Sequence, residues 1–87
     1  MSQYNYWLKC DVTPGIFPGE YTVETKTLDG NTISMFASDA YVKAGEGLLR
    51  VDILEESPNA ILIFLPVAPF ETFSRSVNVS PQAVLRH

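Results

Sequence analysis

Eighty-seven residues leave room for one domain and one core, which excludes a two-domain enzyme. A hydrophobic fraction of 46% with 18% charged residues excludes a disordered tail, and ten acids against six bases, spread evenly along the chain, exclude a basic nucleic-acid arm. The longest apolar run, Ala60–Phe70, is broken by Pro66 and Pro69 and falls well short of the roughly 18 residues that cross a bilayer.

Met1–Asn5 lacks the charged and apolar regions of a signal peptide, and the single cysteine, Cys10, has no partner within the chain for a disulfide. Both features predict a cytoplasmic protein. Tyr4, Tyr6, Leu8, Cys10 and Val12 then fall on alternate positions, the period of a half-buried strand, and Trp7 stands alone among the polar positions between them. Pro14-Gly15 and Pro18-Gly19 break the chain before a second strand over Glu20–Leu28. The next connection admits two loops. A two-residue Asp29-Gly30 turn would set Val23 opposite Phe36 and split the apolar side chains between faces. A three-residue Leu28-Asp29-Gly30 loop, with Gly30 left-handed as a G1 bulge, sets Thr27 opposite Asn31 and Val23 opposite Met35. It unites Tyr21, Val23, Ile33, Met35 and Ala37 on one face, with Glu20, Glu24, Lys26 and Ser34 on the other, and is preferred.

Ser38–Gly47 reads as a loop with one helical turn capped by Ser38. Leu48–Glu55 alternates again, Leu49, Val51 and Ile53 against Arg50 and Asp52. Ser57-Pro58-Asn59 turns the chain into Ala60–Leu65, an unbroken apolar run suited to a strand covered on both faces. After a loop at Pro66–Glu71, Phe73, Val77 and Val79 alternate with serines and Asn78. Arg75 shares the apolar parity and must lie near a strand end or be paired. Ser80-Pro81 places a cap residue before a proline at the first helical position, predicting a short helical turn over Gln82–Leu85. The predicted fold is all-β: a small SH3-like barrel or strongly bent antiparallel sheet of about five or six strands, one domain over residues 1–87, closed by that C-terminal turn.

Little in this chain points to catalysis. His87, the sole histidine, is the last residue, where chain ends fray. Cys10 shares the parity of Leu8 and Val12 and reads as a buried, inert thiol. One cysteine and one terminal histidine cannot build a structural zinc site, and Glu55-Glu56 reads as a solvated strand end. Gly45-Glu46-Gly47 lacks the lysine and following helix of a phosphate loop. Lys9, Lys26, Lys43, Arg50 and Arg75 are scattered among acids, so nucleic acid is not expected as a partner, and no cofactor or metal is expected. Carboxylate pairs such as Glu20 with Glu24, or Glu24 with Asp52, have no spacing that singles them out.

The aromatic residues carry more information. Trp7, Phe17, Tyr41, Phe64 and Phe70 leave the main alternation or fall in loops; they mark either a contact surface or a second small core beneath the loops. In addition, Trp7–Val23, and Asp29-Gly30 followed by Ser34–Ala37, resemble short uncharacterised bacterial proteins of the kind encoded by integron gene cassettes. That resemblance implies a bacterial cytosolic accessory protein, often self-associating, and supplies no catalytic residues. The sequence therefore predicts a non-catalytic interaction module that binds another copy of itself, or another protein, through Trp7, Phe17, Tyr41, Phe70 and a strand edge. Second comes a binder of a small apolar ligand, held by Tyr21, Met35, Phe36 and Tyr41, and third an enzyme without a recognisable motif.

Overall fold

The computed structural model describes residues 6–86; Tyr4, expected in the first strand, and His87 lie outside the described residues. The strands are β1 (Tyr6–Lys9), β2 (Asp11–Pro14), β3 (Glu20–Lys26), β4 (Thr32–Ser38), β5 (Val42–Lys43), β6 (Leu48–Glu56), β7 (Ile61–Phe64), β8 (Ser76–Val79) and β9 (Val84–Arg86). They form two antiparallel sheets in place of one closed barrel. The first runs β8-β7-β6-β1-β9, with β5 also on β6, and the second runs β2-β3-β4.

The β3–β4 hairpin follows its turn chemistry. Thr27 N–H donates to the Asn31 carbonyl at 2.8 Å, Gly30 N–H donates to the Thr27 carbonyl at 3.0 Å, and Gly30 has φ +85°. This is the three-residue bulged loop, and it sets Val23 opposite Met35. One face then carries Val23, Thr25, Ile33, Met35 and Ala37, all buried, with Tyr21 half-buried at its end.

The core lies between the two sheets. Leu8, Leu49, Val51, Ile61, Ile63 and Val79 from the first pack against the hairpin's inner face. Leu8, Met35, Leu49 and Ile63 are fully buried, and each contributes about 1.5–3 kcal/mol of favourable burial.

Four expectations need correction. The predicted first strand is two strands, because the chain leaves the first sheet after Lys9 and enters the second at Asp11. Cys10 is the corner; its N–H donates to the Gly47 carbonyl at 2.9 Å, and Thr25 Oγ1 donates to the Lys9 carbonyl at 3.2 Å. Alternation passes through such a corner unbroken, since a strand that switches sheets keeps its inward parity. Phe73 belongs to no strand and is fully exposed, because β8 pairs with β7 only from Ser76 onward. Arg75 ends that pairing, donating from Nε to the Leu65 carbonyl at 2.9 Å and from a terminal nitrogen to the Pro66 carbonyl at 2.8 Å. At the C-terminal end, the helical turn is a 3-10 turn over Pro81–Ala83, and Val84 and Leu85 form a strand on β1. The free edge of β1 offers that strand a hydrogen-bonded partner, which a helical turn would leave empty. Finally, Ser38 and Ser80 stand at the cap positions of 3-10 turns but make no side-chain cap bond.

Two further expectations differ: the described residues form nine strands where five or six were expected, and Ser38–Gly47, read as a loop with one helical turn, holds β5 between two 3-10 turns, Asp39–Tyr41 and Ala44–Glu46. β6 carries a bulge between Ile53 and Glu55, which leaves Leu54 exposed. In β7, Ile61 and Ile63 are buried and Leu62 and Phe64 half-buried, so its second face is covered only in part.

Candidate interaction faces

Residues that the register pairs share a face of a sheet. On the first sheet's outer face lie Trp7, opposite Arg50 and Leu85; Lys43, opposite Leu48; and Asp52, opposite Phe64. Trp7 retains 8% exposure, so it is not the exposed indole that its parity suggested. The Lys43 ammonium stands 4.4 Å from the centre of its ring, and Leu48 on the same face is also buried. These residues make a small second core outside the main one, closed by a cation–π contact. The indole Nε1–H is buried without a hydrogen-bond partner, which costs about 1–3 kcal/mol and is offset by the ring's own burial.

Beside this cluster is a hollow of about 390 Å³, where Tyr41, Arg50, Asp52, Phe64 and Arg75 meet. The Arg75 guanidinium lies 4.3 Å from the Phe64 ring centre and is held there by its two bonds to backbone carbonyls. Cation, aromatic ring and carbonyl anchors together fix Arg75 at the surface, where its charge remains available.

The second sheet's outer face has a different character. Asp11 sits directly opposite Glu24, Glu24 opposite Ser34, Thr22 opposite Phe36, and Glu20 opposite Ser38. Over this face folds the loop before β8. Phe70 N–H donates to the Ser34 carbonyl at 2.9 Å, Ser34 N–H donates to Glu71 Oε1 at 2.7 Å, and the Ser34 hydroxyl donates to Glu71 Oε2. Phe70 and Phe36 meet edge to face at 4.9 Å, yet remain 61% and 43% exposed.

Of the four residues singled out from sequence, the structure brings Trp7 and Tyr41 to the same outer face and sets Phe70 on the opposite one. Phe17 stands apart in the β2–β3 turn, 66% exposed. Arg50 and Arg75 were not named as site residues from sequence, and Phe36 was named only for the apolar-ligand pocket, not for an interaction face. The parity of Phe36 against Met35 was the available signal, and Arg75 was visible only as a charge on an apolar parity. The ligand pocket proposed from sequence does not form, since Met35 is in the core and Phe36 points to the other side of β4.

A hollow of about 660 Å³ lies between the hairpin tip, β8 and the segment at Glu71-Thr72. Its two carboxylates are already engaged. The Thr27 hydroxyl holds Asp29 below its ordinary pKa, and the Ser34 hydroxyl and N–H do the same for Glu71. Ionised acceptors of this kind anchor loops; they do not deliver protons at neutral pH. Leu28 N–H, at the hairpin tip, donates to the Asn78 carbonyl at 2.8 Å, so the hollow's walls are tied together. Cys10 is half-buried, its Sγ 3.5 Å from the Leu8 carbonyl and 3.7 Å from that of Gly47. Burial, and next the Asp11 carboxylate, push the thiol up to about 12, which keeps it protonated and a poor nucleophile. Gly45 and Glu46 belong to a 3-10 turn over Ala44–Glu46 capped by left-handed Gly47 at φ 66°, and that glycine supplies the carbonyl for the Cys10 corner. Glu55 and Glu56 end their strand in solvent, Glu56 ion-paired with Arg86. Among the described residues no group of three or more metal-ligating side chains comes together, and no helix is long and apolar enough to cross a membrane.

No family model matches the chain, and neither a curated protein nor a solved structure does.

Proposed function

We propose that this chain is a protein-interaction module that self-associates through its aromatic outer faces and an open strand edge, as a cytoplasmic accessory protein of the integron-cassette kind. The observation that carries this reading is the Phe36–Phe70 pair, two rings packed on each other at the surface with much of their area still in water. An aromatic pair with charged neighbours is the composition of an interface centre and its rim. The edge beside it supports the same reading. β4 pairs only with β3, and the antiparallel alternation turns the N–H and C=O of Phe36 outward, next to the Ser34 groups that Phe70 and Glu71 occupy.

Light scattering behind size exclusion, over a range of protein concentrations, tests the proposal. A mass that rises above that of one chain supports it. A monomer at every concentration overturns it. Phe70→Ala should weaken association while leaving the far-ultraviolet spectrum unchanged, because the ring contributes to the surface and not to the core.

A further inference from the structure

Charge is spread evenly along the sequence and segregated in space. The outer face of the first sheet presents Arg50 and Arg75 at the Tyr41–Phe64 hollow, with Asp52 inside it, Lys43 over the Trp7 ring and Glu55 at the far end. The outer face of the second presents Glu20, Glu24 and Glu71 around the Phe36–Phe70 pair, with Asp11 beyond Glu24 and Lys26 as the one cation of that face. Asp11 and Glu24 stand directly opposite each other, an arrangement that works against the folded sheet. Lys9 and Lys26 line the crevice beside them, yet the one ion pair among the described residues is Arg86–Glu56. Among the described residues no ion pair engages the carboxylates of one face or the cations of the other, although Ser34 holds Glu71, two backbone carbonyls hold Arg75 and the Trp7 ring holds Lys43.

The two faces are opposite in sign, and each has an aromatic centre. One carries the exposed Phe36–Phe70 pair among acids; the other, a hollow where Tyr41 and Phe64 meet Arg50 and Arg75. They lie on opposite sides of the sandwich, so a single molecule cannot join them. A two-fold contact through either face would set like charges against like.

Building on the self-association reading, we infer that copies associate head to tail. The Phe36–Phe70 pair of one copy enters the Tyr41–Phe64 hollow of the next, with Glu20, Glu24 and Glu71 meeting Lys43, Arg50 and Arg75. Such a contact is heterologous, so it propagates into a ring where the rotation closes and into a filament where it does not.

Two variants, each disabled on one face, provide the test. Arg50→Glu spoils the basic face, and Glu20→Lys with Glu24→Lys spoils the acidic one. All three positions lie on outer faces and leave the inter-sheet core untouched. The wild type should grow in mass with concentration and shrink as salt rises. Each variant alone should associate on the order of a hundredfold more weakly. Their equimolar mixture should recover association, because one intact acidic face and one intact basic face remain to pair between the two variants. If either variant associates as the wild type does, or the mixture stays monomeric while the wild type associates, the head-to-tail contact is overturned and self-association stands. A wild type that is monomeric at every concentration overturns both. Should circular dichroism show a reversed variant to be unfolded, Arg50→Gln and Glu20→Gln with Glu24→Gln take their place, with a smaller loss and the same recovery on mixing.

Discussion

The two sheets are built in opposite ways. The second is a local object: β2, β3 and β4 follow one another in sequence and each pairs with its neighbour. The first is gathered from the whole chain, with β1 near one end held between β6 in the middle and β9 near the other end. A local sheet takes its register from turn residues, so Gly30 and the apolar parity determine it together. A gathered sheet must close long loops before its contacts contribute, and it depends on side-chain packing to repay that entropy. The first sheet should therefore fail on loss of one long-range contact, whereas the second should tolerate a local change.

The largest test of that contrast is Trp7→Ala. Trp7 bridges Arg50 on β6 and Leu85 on β9, and it is nearly buried. Truncating it should cost about 3–5 kcal/mol, comparable to the whole stability of a small domain. Urea unfolding below the association range checks this. A midpoint within error of the wild type would show that the outer cluster does not hold β1 in place, and that the first sheet has some other source of strength.

The same contrast explains what could be read in the sequence. The hairpin was legible to the residue, because its turn and its two parities are local and mutually consistent. The corner at Cys10 was not, since alternation from Tyr6 to Val12 is the same for a straight strand and for one that changes sheets. The β9 pairing was equally hidden: Val84-Leu85-Arg86 is too short for a period, and only the open edge of β1 makes it a strand. For the candidate faces, Tyr41 and Phe70 could be named from their loop positions. Their division between a basic and an acidic side could not, because it requires the face assignment of both sheets at once. Trp7 was found by its parity, but its cover comes from Lys43, which β5 delivers through a two-residue pairing too short to predict.

Cys10 sharpens the comparison at the point where the sheets join. With its pKa raised from 9.0 to about 12, the folded protein near pH 8 should hold roughly a thousandfold fewer thiolates than the unfolded chain. A disulfide-exchange reagent should accordingly label the native protein slowly and the urea-unfolded protein at once. Rapid native labelling would mean that the corner opens readily, and that the gathered sheet frays where it hands the chain to the local one.

Two glycines compare a long-range junction with a local turn directly. Gly47 is left-handed, and a Cβ there would sit 2.9 Å from the Cys10 carbonyl oxygen; Gly30 is also left-handed, but a Cβ there meets nothing within 4 Å. Gly47→Ala should cost about 2–3 kcal/mol, the conformational penalty plus a clash against backbone that cannot yield. Gly30→Ala should cost about 1 kcal/mol, from the conformation alone. Thermal unfolding of the two variants side by side reads the difference. Equal losses would mean that the corner yields to the added methyl, and that Gly47 is needed only for its conformation.

The smallest effect concerns the strap that ties the loop before β8 to the edge of β4. Glu71 accepts from the Ser34 hydroxyl and N–H, and these bonds hold its pKa below the ordinary 4.5. Because the folded value is the lower one, the strap's contribution is fully present well above pH 4.5 and is lost as the pH falls through the folded value. Glu71→Gln should imitate the acid form at neutral pH, since an amide oxygen is a weaker acceptor than a carboxylate. In both cases the Ser34 amide should exchange faster with solvent, whereas the amides of Ile33 and Met35, which pair with β3, should keep their protection. Global stability should barely move, because Glu71 is fully exposed. If acid or Glu71→Gln instead released Ile33 and Met35 together with Ser34, the strap would be part of what holds the hairpin, and the second sheet would not be the self-contained unit its turn chemistry describes.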